Sequence, residues 1–250
     1  MYQQDDFKYM LLDGTNLTSS GTSGQSRTFF QHPEKLAAAN RAAVDAQELT
    51  SSSTVYTVCS LKHAGGLLAQ TLPAYSIGAR VDIESFNAYE FVKKVSNYSH
   101  THITPYHAKA ILMTKNFYSL DLSKVWVSIG ADPVEWFVIE AFVKQGATVM
   151  SNWGMSEIGP VAINTVFRSV QGVEDAKENS LLASTIMGNR FYCDYKIENN
   201  ELYVKGDICI FDGWYKTRDL VYVNNDYMFY TGRVGMSVDL TLSKKGAVHA

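Results

Sequence analysis

The sequence has few cysteines and no excess of positive charge. Three cysteines occur in 250 residues, and none belongs to a CxxC pair; they are Cys59, Cys193 and Cys209. We therefore expect buried thiols, with neither a disulfide framework nor a zinc site. Lys and Arg total 22 against 25 Asp and Glu, which gives a net charge of -3. Nonspecific nucleic-acid binding requires a basic surface, so we expect no nucleic-acid partner.

Long apolar runs are also missing. The run 136–143 is among the longest, and a bilayer span requires roughly 20 apolar residues, so no transmembrane segment and no membrane partner are predicted. The first residues lack the cationic and apolar stretches of a signal peptide, which favours a cytoplasmic location. Apolar material itself is plentiful, because 46% of the residues are hydrophobic and 12% aromatic. The composition predicts a soluble globular protein with a sizeable core.

The order of apolar patterns predicts an α/β fold, with a mainly parallel sheet flanked by helices and a small antiparallel β subdomain. Strand-like and helix-like segments alternate in the first part of the chain, which is typical of parallel sheets. Predicted strands there are 54–59, 80–83, 101–104, 125–129 and 147–150, and predicted helices are 88–97, 105–113 and 133–145. Downstream, short runs separated by Asn, Gly and Asp turns predict antiparallel strands within 191–197, 201–204, 208–211 and 220–223. We expect an α/β nucleotide-binding subdomain at 1–165, a β subdomain at 185–235 and a tail at 236–250.

A loop rich in hydroxyls and glycine covers residues 15–26 and reads TNLTSSGTSGQS. Such a composition is also typical of a flexible linker. The loop lies between the apolar segments 9–12 and 28–30, however, which favours a tight connection between two strands. Glycines let the backbone approach an anion, hydroxyls and N–H groups donate to its oxygens, and Arg27 adds positive charge. The Gly-Lys-Ser/Thr ending of a Walker A loop is missing, so a P-loop NTPase is disfavoured.

The segment 19–27 resembles the phosphate loop of the adenylate-forming superfamily, usually written [ST]SGTTGxPKG, with Ser26 for proline and Arg27 for lysine. The resemblance implies ATP binding by the loop and a catalytic charge on Arg27. The loop residues that it implicates are Ser19, Ser20, Gly21, Thr22, Ser23 and Gly24.

A second segment, 152–157, reads NWGMSE and resembles the YGxTE motif of the same superfamily. It follows a predicted strand, and open α/β sheets bind ligands at the carboxyl ends of their strands. The resemblance implies that Glu157 is a catalytic residue that holds Mg²⁺, a cation that prefers carboxylate and phosphate oxygens, and that Trp153 lies against the adenine. Gly154, Met155 and Ser156 are also implicated in ATP binding. An exposed Glu at a helix start is the alternative.

A third segment, 213–220, reads GWYKTRDL and is similar to GWYRTGDL in the superfamily, with Arg218 where glycine is usual. The resemblance implies that Asp219 accepts hydrogen bonds from the ribose hydroxyls. A turn Asp between two strands is the alternative. The departure at Arg218 could alter nucleotide contacts. Thr231-Gly-Arg233 resembles the GR before the superfamily's interdomain hinge, which implies that Arg233 reaches the ribose or phosphate.

Weaker similarities concern the acid substrate. The segment 62–66 is like the superfamily's His-containing wall of the acyl pocket, and 130–133 resembles its GGxPL turn, so His63 and Gly130 are candidate substrate contacts. A lone His near a helix start is more often a structural hydrogen-bonding residue. The other histidines that show no ligand spacing are predicted to be exposed or hydrogen-bonded; they are His32, His100, His102 and His107.

The resemblance covers about residues 10–233 and implies an acyl-CoA synthetase-like large domain shortened at both ends. The small C-terminal domain, which carries a lysine that bridges carboxylate and α-phosphate in the superfamily, is expected to be missing. The implied function is ATP-dependent adenylation of a small carboxylic acid, with ATP and Mg²⁺ as cofactors and reduced activity. CoA ligation by this chain alone is doubtful. A noncatalytic ATP/AMP-binding module is the alternative, and a homodimer or a partner chain could supply the missing domain.

Overall fold

The computed structural model describes residues 4–19, 27–181 and 184–235. A seven-stranded sheet forms its larger part, with the order β10-β8-β7-β6-β5-β3-β4. Its strands are β3 Thr54–Thr57, β4 Arg80–Ile83, β5 His100–Ile103, β6 Trp126–Gly130, β7 Thr148–Met155, β8 Gly159–Phe167 and β10 Arg190–Phe191. Five neighbouring strands are parallel to one another; they are β4, β3, β5, β6 and β7. At the other edge, β8 and β10 add antiparallel pairs. The predicted α/β fold with a mainly parallel sheet is confirmed.

A second sheet is antiparallel and has five strands in the order β11-β12-β13-β14-β9. These strands are β9 Thr185–Gly188, β11 Asp194–Glu198, β12 Glu201–Lys205, β13 Tyr215–Asn224 and β14 Tyr227–Arg233. A separate hairpin pairs β1 Thr15–Ser19 with β2 Arg27–Gln31. The predicted small antiparallel part of the fold is therefore also confirmed.

Helices cover both faces of the larger sheet. They are α1 Gln4–Asp13, α2 Pro33–Ala46, α3 Ala64–Gly66, α4 Leu72–Ser76, α5 Ala88–Lys94, α6 Pro105–Leu112, α7 Trp136–Lys144 and α8 Val170–Glu178. A π-helical stretch, Leu67–Thr71, joins α3 to α4, and 3₁₀ turns cover Val95–Asn97 and Lys115–Ser119. Within the described residues, no helix combines the length and the apolar content that a membrane crossing requires.

The largest apolar cluster fills one face of the sheet, beneath α5 to α8, and includes Phe91, Phe117 and Phe142. On the opposite face, α2 and the helical segment 64–76 pack on the strands. Gln47, at the end of α2, crosslinks this layer, because its side chain donates to the Ala69 carbonyl at 2.6 Å and accepts from Ser128 Oγ at 2.6 Å. Gln47 thus connects the end of α2 to the π-helical stretch and to β6.

Some local predictions were wrong, and some elements were missed. The apolar segment 9–12 belongs to helix α1, and the strand before the hydroxyl-rich loop is β1, formed by loop residues themselves. The run 208–211 forms bends, closed by a hydrogen bond from the Cys209 N–H to the Gly206 carbonyl at 3.0 Å. Strand β7 continues to Met155, five residues beyond its predicted end at 150, and β8 was not predicted at all.

The expectation of buried thiols is confirmed for Cys59 and Cys209, while Cys193 is half-buried; all three are free. Burial is the main cause of their raised pKa values, about 12 for Cys59, about 12 for Cys193 and about 11 for Cys209. A thiol with such a pKa carries almost no thiolate at neutral pH, which makes it unreactive.

Candidate nucleotide site

The tight connection between β7 and β8 carries the NWGMSE motif. Met155 pairs with Gly159 across the connection, and the Ile158 N–H donates to the Met155 carbonyl at 3.2 Å. Gly154 has no room for a side chain, since an added Cβ would lie 2.1 Å from the Gly159 carbonyl oxygen. Ser156 lies in the turn. The motif therefore forms the end of a strand and a turn rather than a helix start.

Glu157 is the middle residue of this turn and is 7% exposed. Its carbonyl accepts a hydrogen bond from the Ile210 N–H at 3.0 Å, so the segment 208–211 is fastened to the turn. The side chain is therefore neither solvent-exposed nor at a helix start, and the structure excludes that alternative. A buried carboxylate requires a polar or cationic partner.

Tyr215 contributes such a partner. Its pKa is raised to about 12, first by burial and then by the charge of Glu157 and a hydrogen bond to that side chain. Arg233 and Arg27 oppose this rise, which places both guanidinium groups within electrostatic range of Tyr215. No role was predicted for Tyr215 from the sequence. Its position inside the GWYKTRDL motif, two residues after Gly213, was the available signal.

Asp219 lies inside β13 and is 5% exposed, so it is not a turn residue. One carboxylate oxygen, Oδ2, accepts from Trp153 Nε1 at 2.9 Å, and the other, Oδ1, lies 3.5 Å from Arg233 Nε. The backbone also brings Asp219 and Arg233 together, because they are direct partners in the β13–β14 pairing. Three residues predicted from three separate motifs are therefore in contact.

Burial is the dominant effect on the Asp219 carboxyl and raises its pKa. The charge of Arg233 and the hydrogen bond from Trp153 act in the opposite direction without cancelling it. Burial therefore makes the ionised form of Asp219 less favourable than it is in water, as is common for groups that bind ligands.

Arg218 precedes Asp219 and has a φ of 67°, the left-handed conformation that favours glycine. Its guanidinium donates to the Val234 carbonyl at 3.0 Å, while the Val234 N–H donates to the Arg218 carbonyl at 2.8 Å. The superfamily motif has glycine at this place, and the backbone conformation gives the physical reason. The exposed Arg218 side chain binds the backbone immediately after β14.

The phosphate-loop residues are described only in part. Ser19 ends β1 and pairs with Arg27 at the start of β2. The other predicted loop residues lie outside the described residues; they are Ser20, Gly21, Thr22, Ser23 and Gly24. Arg27 is exposed at the loop end of the hairpin, and its charge acts on Tyr215.

The predicted acid contacts lie at the carboxyl ends of other strands. His63 is exposed, and its Nδ1 lies 3.1 Å from the Thr18 carbonyl oxygen of β1. Gly130 ends β6, and an added Cβ there would lie 2.6 Å from the Asn152 backbone oxygen. Asn152 immediately precedes Trp153, so the Gly130 region adjoins the Trp153–Asp219 contact.

Within the described part of the chain, no group of three or more His, Cys, Asp or Glu side chains is placed to hold a metal ion. Glu157 offers a single carboxylate. This donor set fits Mg²⁺ bound mainly by phosphate oxygens and water, the usual arrangement at nucleotide sites.

Comparison with protein-family models gives no match, and comparison with curated protein sequences gives none either. Solved structures do match. A double mutant of o-succinylbenzoate CoA synthetase (MenE) from Bacillus subtilis, bound with a product analogue, is 19% identical with a TM-score of 0.71. The similarity covers 90% of this chain and 49% of that chain. ATP-bound MatB from Rhodopseudomonas palustris is 14% identical with a TM-score of 0.69, over 87% of this chain and 47% of that one.

An acyl-CoA synthetase (AMP-forming)/AMP-acid ligase II-like protein from Dyadobacter fermentans is 15% identical with a TM-score of 0.69. The similarity covers 91% of this chain and 63% of that chain. The chain thus spans about half to two thirds of the length of these structures. Its fold is that of the adenylate-forming enzymes, which confirms at the level of fold the resemblance seen in the motifs.

Proposed function

We propose that this chain binds ATP with Mg²⁺ and a small carboxylic acid and joins them into an acyl-AMP, releasing pyrophosphate. The contact of Trp153, Asp219 and Arg233 carries the proposal. These residues are far apart in the sequence, and each matches a nucleotide-binding position of the superfamily. The shared fold supports the proposal, although at 14–19% identity it supports only the framework of the site.

Asp219 would bind the ribose. A carboxylate has about four acceptor positions on its two oxygens, and Trp153 and Arg233 occupy only part of them. The two ribose hydroxyls could donate to the rest. Because burial already disfavours the ionised Asp219, added donors would relieve the cost and strengthen binding.

Trp153 would provide the apolar surface for the adenine ring. Its indole N–H is held by Asp219, so the ring plane is fixed relative to the ribose acceptor. An aromatic ring that is fixed before binding loses little conformational entropy when a base stacks on it. The base and the sugar would therefore be recognised by one connected pair of side chains.

The phosphates would lie near Arg27, Glu157 and the hydroxyl-rich loop 19–24. Glu157 would hold the magnesium ion that is bound by the ATP phosphates, and Tyr215 would orient its carboxylate. When bound, Mg²⁺ neutralises phosphate charge and aligns the phosphates. Arg27 and Arg233 would add fixed positive charge, which stabilises the additional negative charge of the transition state.

In the proposed reaction, a carboxylate oxygen of the acid attacks the α-phosphorus of ATP. The new bond joins that oxygen to phosphorus, and the bond from phosphorus to the bridging oxygen of the β-phosphate breaks. Pyrophosphate leaves with the bonding electrons, so neither an oxidant nor a reductant is needed. The lysine that bridges carboxylate and α-phosphate in the superfamily has no counterpart among the described residues of the site. A partner chain could contribute that charge and any transfer to CoA.

ATP–pyrophosphate exchange tests the proposal. The chain is incubated with ATP, Mg²⁺, labelled pyrophosphate and a panel of small carboxylic acids, and incorporation of label into ATP is measured. Acid-dependent exchange is expected, with a loss of at least about tenfold in Asp219→Asn and Glu157→Gln, since each removes a charged interaction. Asp82→Asn, at the far edge strand β4, is the matched control and should retain activity. Saturable ATP binding without exchange for any acid would indicate a noncatalytic module instead.

A further inference from the structure

His102 is a buried side chain without a hydrogen-bond partner. It is 4% exposed, and neither Nδ1 nor Nε2 has a hydrogen bond in the described structure. The sequence had predicted an exposed or hydrogen-bonded histidine, and that prediction was wrong. Leaving a buried polar group unpaired costs about 1–3 kcal/mol, which makes such a group unusual in a protein interior.

The imidazole lies at the carboxyl end of β5, where the candidate acid contacts also lie. If a Cβ were added to Gly65, it would lie 3.8 Å from His102 Cε1 and 3.7 Å from the Ala131 Cβ. Gly65 belongs to the predicted acyl-pocket segment 62–66, and Ala131 follows Gly130. Since Cε1 lies between the two ring nitrogens, the polar edge of His102 faces the gap between these two segments.

A second unpaired polar atom lies on the same sheet face. His102 pairs in register with Ser128, whose hydroxyl binds Gln47, so this face is the one covered by α2. Two residues further along, Gly130 pairs with Asn152, and alternation places Asn152 on the same face. Its Nδ2 donates to a backbone carbonyl, but its buried Oδ1 has no partner. The Asn152 amide covers Gly130, since a Cβ added there would lie 2.6 Å from its Nδ2 and 2.7 Å from its Oδ1, so the room for a ligand group beside His102 is at Gly65.

The surroundings favour a neutral ligand group over a second carboxylate. Burial, and then the nearby His107, lower the pKa of His102 to about 4, so the imidazole is neutral at neutral pH. A neutral imidazole has one donor and one acceptor, and Asn152 Oδ1 accepts only. A hydroxyl group both donates and accepts, whereas a carboxylate only accepts and would require a cation.

We propose that the acid bound by this chain carries a hydroxyl group on its acyl part, and that His102 binds that hydroxyl. The inference rests on the proposed function for the presence of an acid, and it adds the chemical class of that acid. His102 would then be the residue that selects hydroxylated acids over plain hydrocarbon acids. A site that hydrogen-bonds a substrate hydroxyl rejects analogues without it, because its polar groups stay unpaired.

Matched acids test the proposal with the full chain. The first set is 4-hydroxybenzoate, 4-methylbenzoate and terephthalate, and the second is 4-hydroxybutanoate, pentanoate and glutarate. Within each set, a methyl or a carboxylate replaces the hydroxyl. Affinities are measured by ligand-observed NMR at neutral pH. In at least one set the hydroxylated acid should bind about tenfold or more tighter than both analogues.

Two histidine variants separate recognition from folding. His102→Leu should abolish the preference for the hydroxyl and leave the melting temperature unchanged or higher, because it removes an unpaired buried polar group. His100→Leu is the matched control on the same strand and face. Its ring Nε2 lies 3.0 Å from the Gln47 carbonyl oxygen, so this variant should lower the melting temperature and retain the preference.

Equal binding of hydroxylated and methyl acids, tightest binding of the dicarboxylates, or a hydroxyl preference that survives His102→Leu would overturn the proposal. So would the absence of binding by every acid. ATP titration of the same samples distinguishes this failure from failure of the proposed function. ATP binding without a hydroxyl preference would overturn only the acid class, whereas a hydroxyl preference without ATP binding would overturn only adenylation.

Discussion

Replacing Trp153 with phenylalanine isolates the hydrogen bond on which the candidate site depends. Phenylalanine keeps an aromatic surface but removes the indole N–H, which donates to Asp219 Oδ2 at 2.9 Å. A hydrogen bond to a charged group contributes about 1.5–3 kcal/mol. Burial already disfavours the ionised Asp219, so losing a donor should carry the full cost. For a chain of this size, about 2–4 °C of melting temperature correspond to 1 kcal/mol.

We therefore expect Trp153→Phe to lower the melting temperature by about 3–12 °C, measured by circular dichroism. Trp136→Phe is the matched control. Trp136 is also half-buried, but its Nε1 has no hydrogen-bond partner in the described structure, so this variant loses only packing. When each tryptophan variant is combined with Asp219→Asn, the two should lower the melting temperature by similar amounts, because the charged acceptor is absent. Equal destabilisation by Trp153→Phe and Trp136→Phe in the wild-type background would refute the reasoning.

Four further predictions concern stability and reactivity. Arg218→Gly removes the cost of a left-handed backbone at a non-glycine residue, about 1–2 kcal/mol, and should raise the melting temperature. Arg218→Ala keeps this strain and loses the hydrogen bond to Val234, so it should lower the melting temperature. Gly154→Ala should unfold the β7–β8 connection or lower the melting temperature strongly, since its Cβ would clash with a backbone oxygen; an unchanged melting temperature would contradict that geometry. Because burial raises the pKa of Asp219, the contribution of this carboxyl group to stability is greatest in acid and is lost as pH rises through that pKa. The stability of Asp219→Asn relative to wild type should therefore rise between about pH 3 and pH 7, and a difference that does not change with pH would contradict the raised pKa. Cys59 should react with a thiol reagent at pH 8 only after denaturation, and fast labelling of the native chain at this residue would count against its burial.

Much of the fold could be predicted because parallel strands are buried and therefore read as apolar runs. The predicted strands at 54–59 and 125–129 correspond to β3 and β6, and the predicted helix at 105–113 corresponds to α6. In each case the periodicity of the segment agrees with its tertiary surroundings. Local pattern and packing then indicate the same element.

The errors fall where tertiary contacts determine the backbone. Trp153 and Gly154 do not alternate as strand residues usually do, yet β8 pairs with Trp153 and Met155 across a register shift and so extends β7 to Met155. The run 208–211 is apolar, but its Ile210 N–H binds the Glu157 carbonyl instead of a neighbouring strand. No pattern within a short window contains such contacts.

In the candidate site, too, motifs identify individual residues, whereas their contacts depend on the fold. Trp153, Asp219 and Arg233 were identifiable because each belongs to a motif, but their mutual contact depends on the pairing of β13 with β14 and on the position of β7. Tyr215 was missed since an aromatic residue in a strand is typical of ordinary core packing. His102 was missed because the lack of a partner is a property of the folded interior.

Calorimetric titration of the full chain with ATP and Mg²⁺ tests the central claim most directly. It should be carried out on wild type, on the double variant Glu157→Gln, Asp219→Asn and on the control Asp82→Asn. The account predicts saturable binding in wild type and control that weakens at least about a hundredfold in the double variant, because two charged interactions are lost. Absence of binding in all three proteins, or equal binding in the double variant, would contradict the assignment of the nucleotide site.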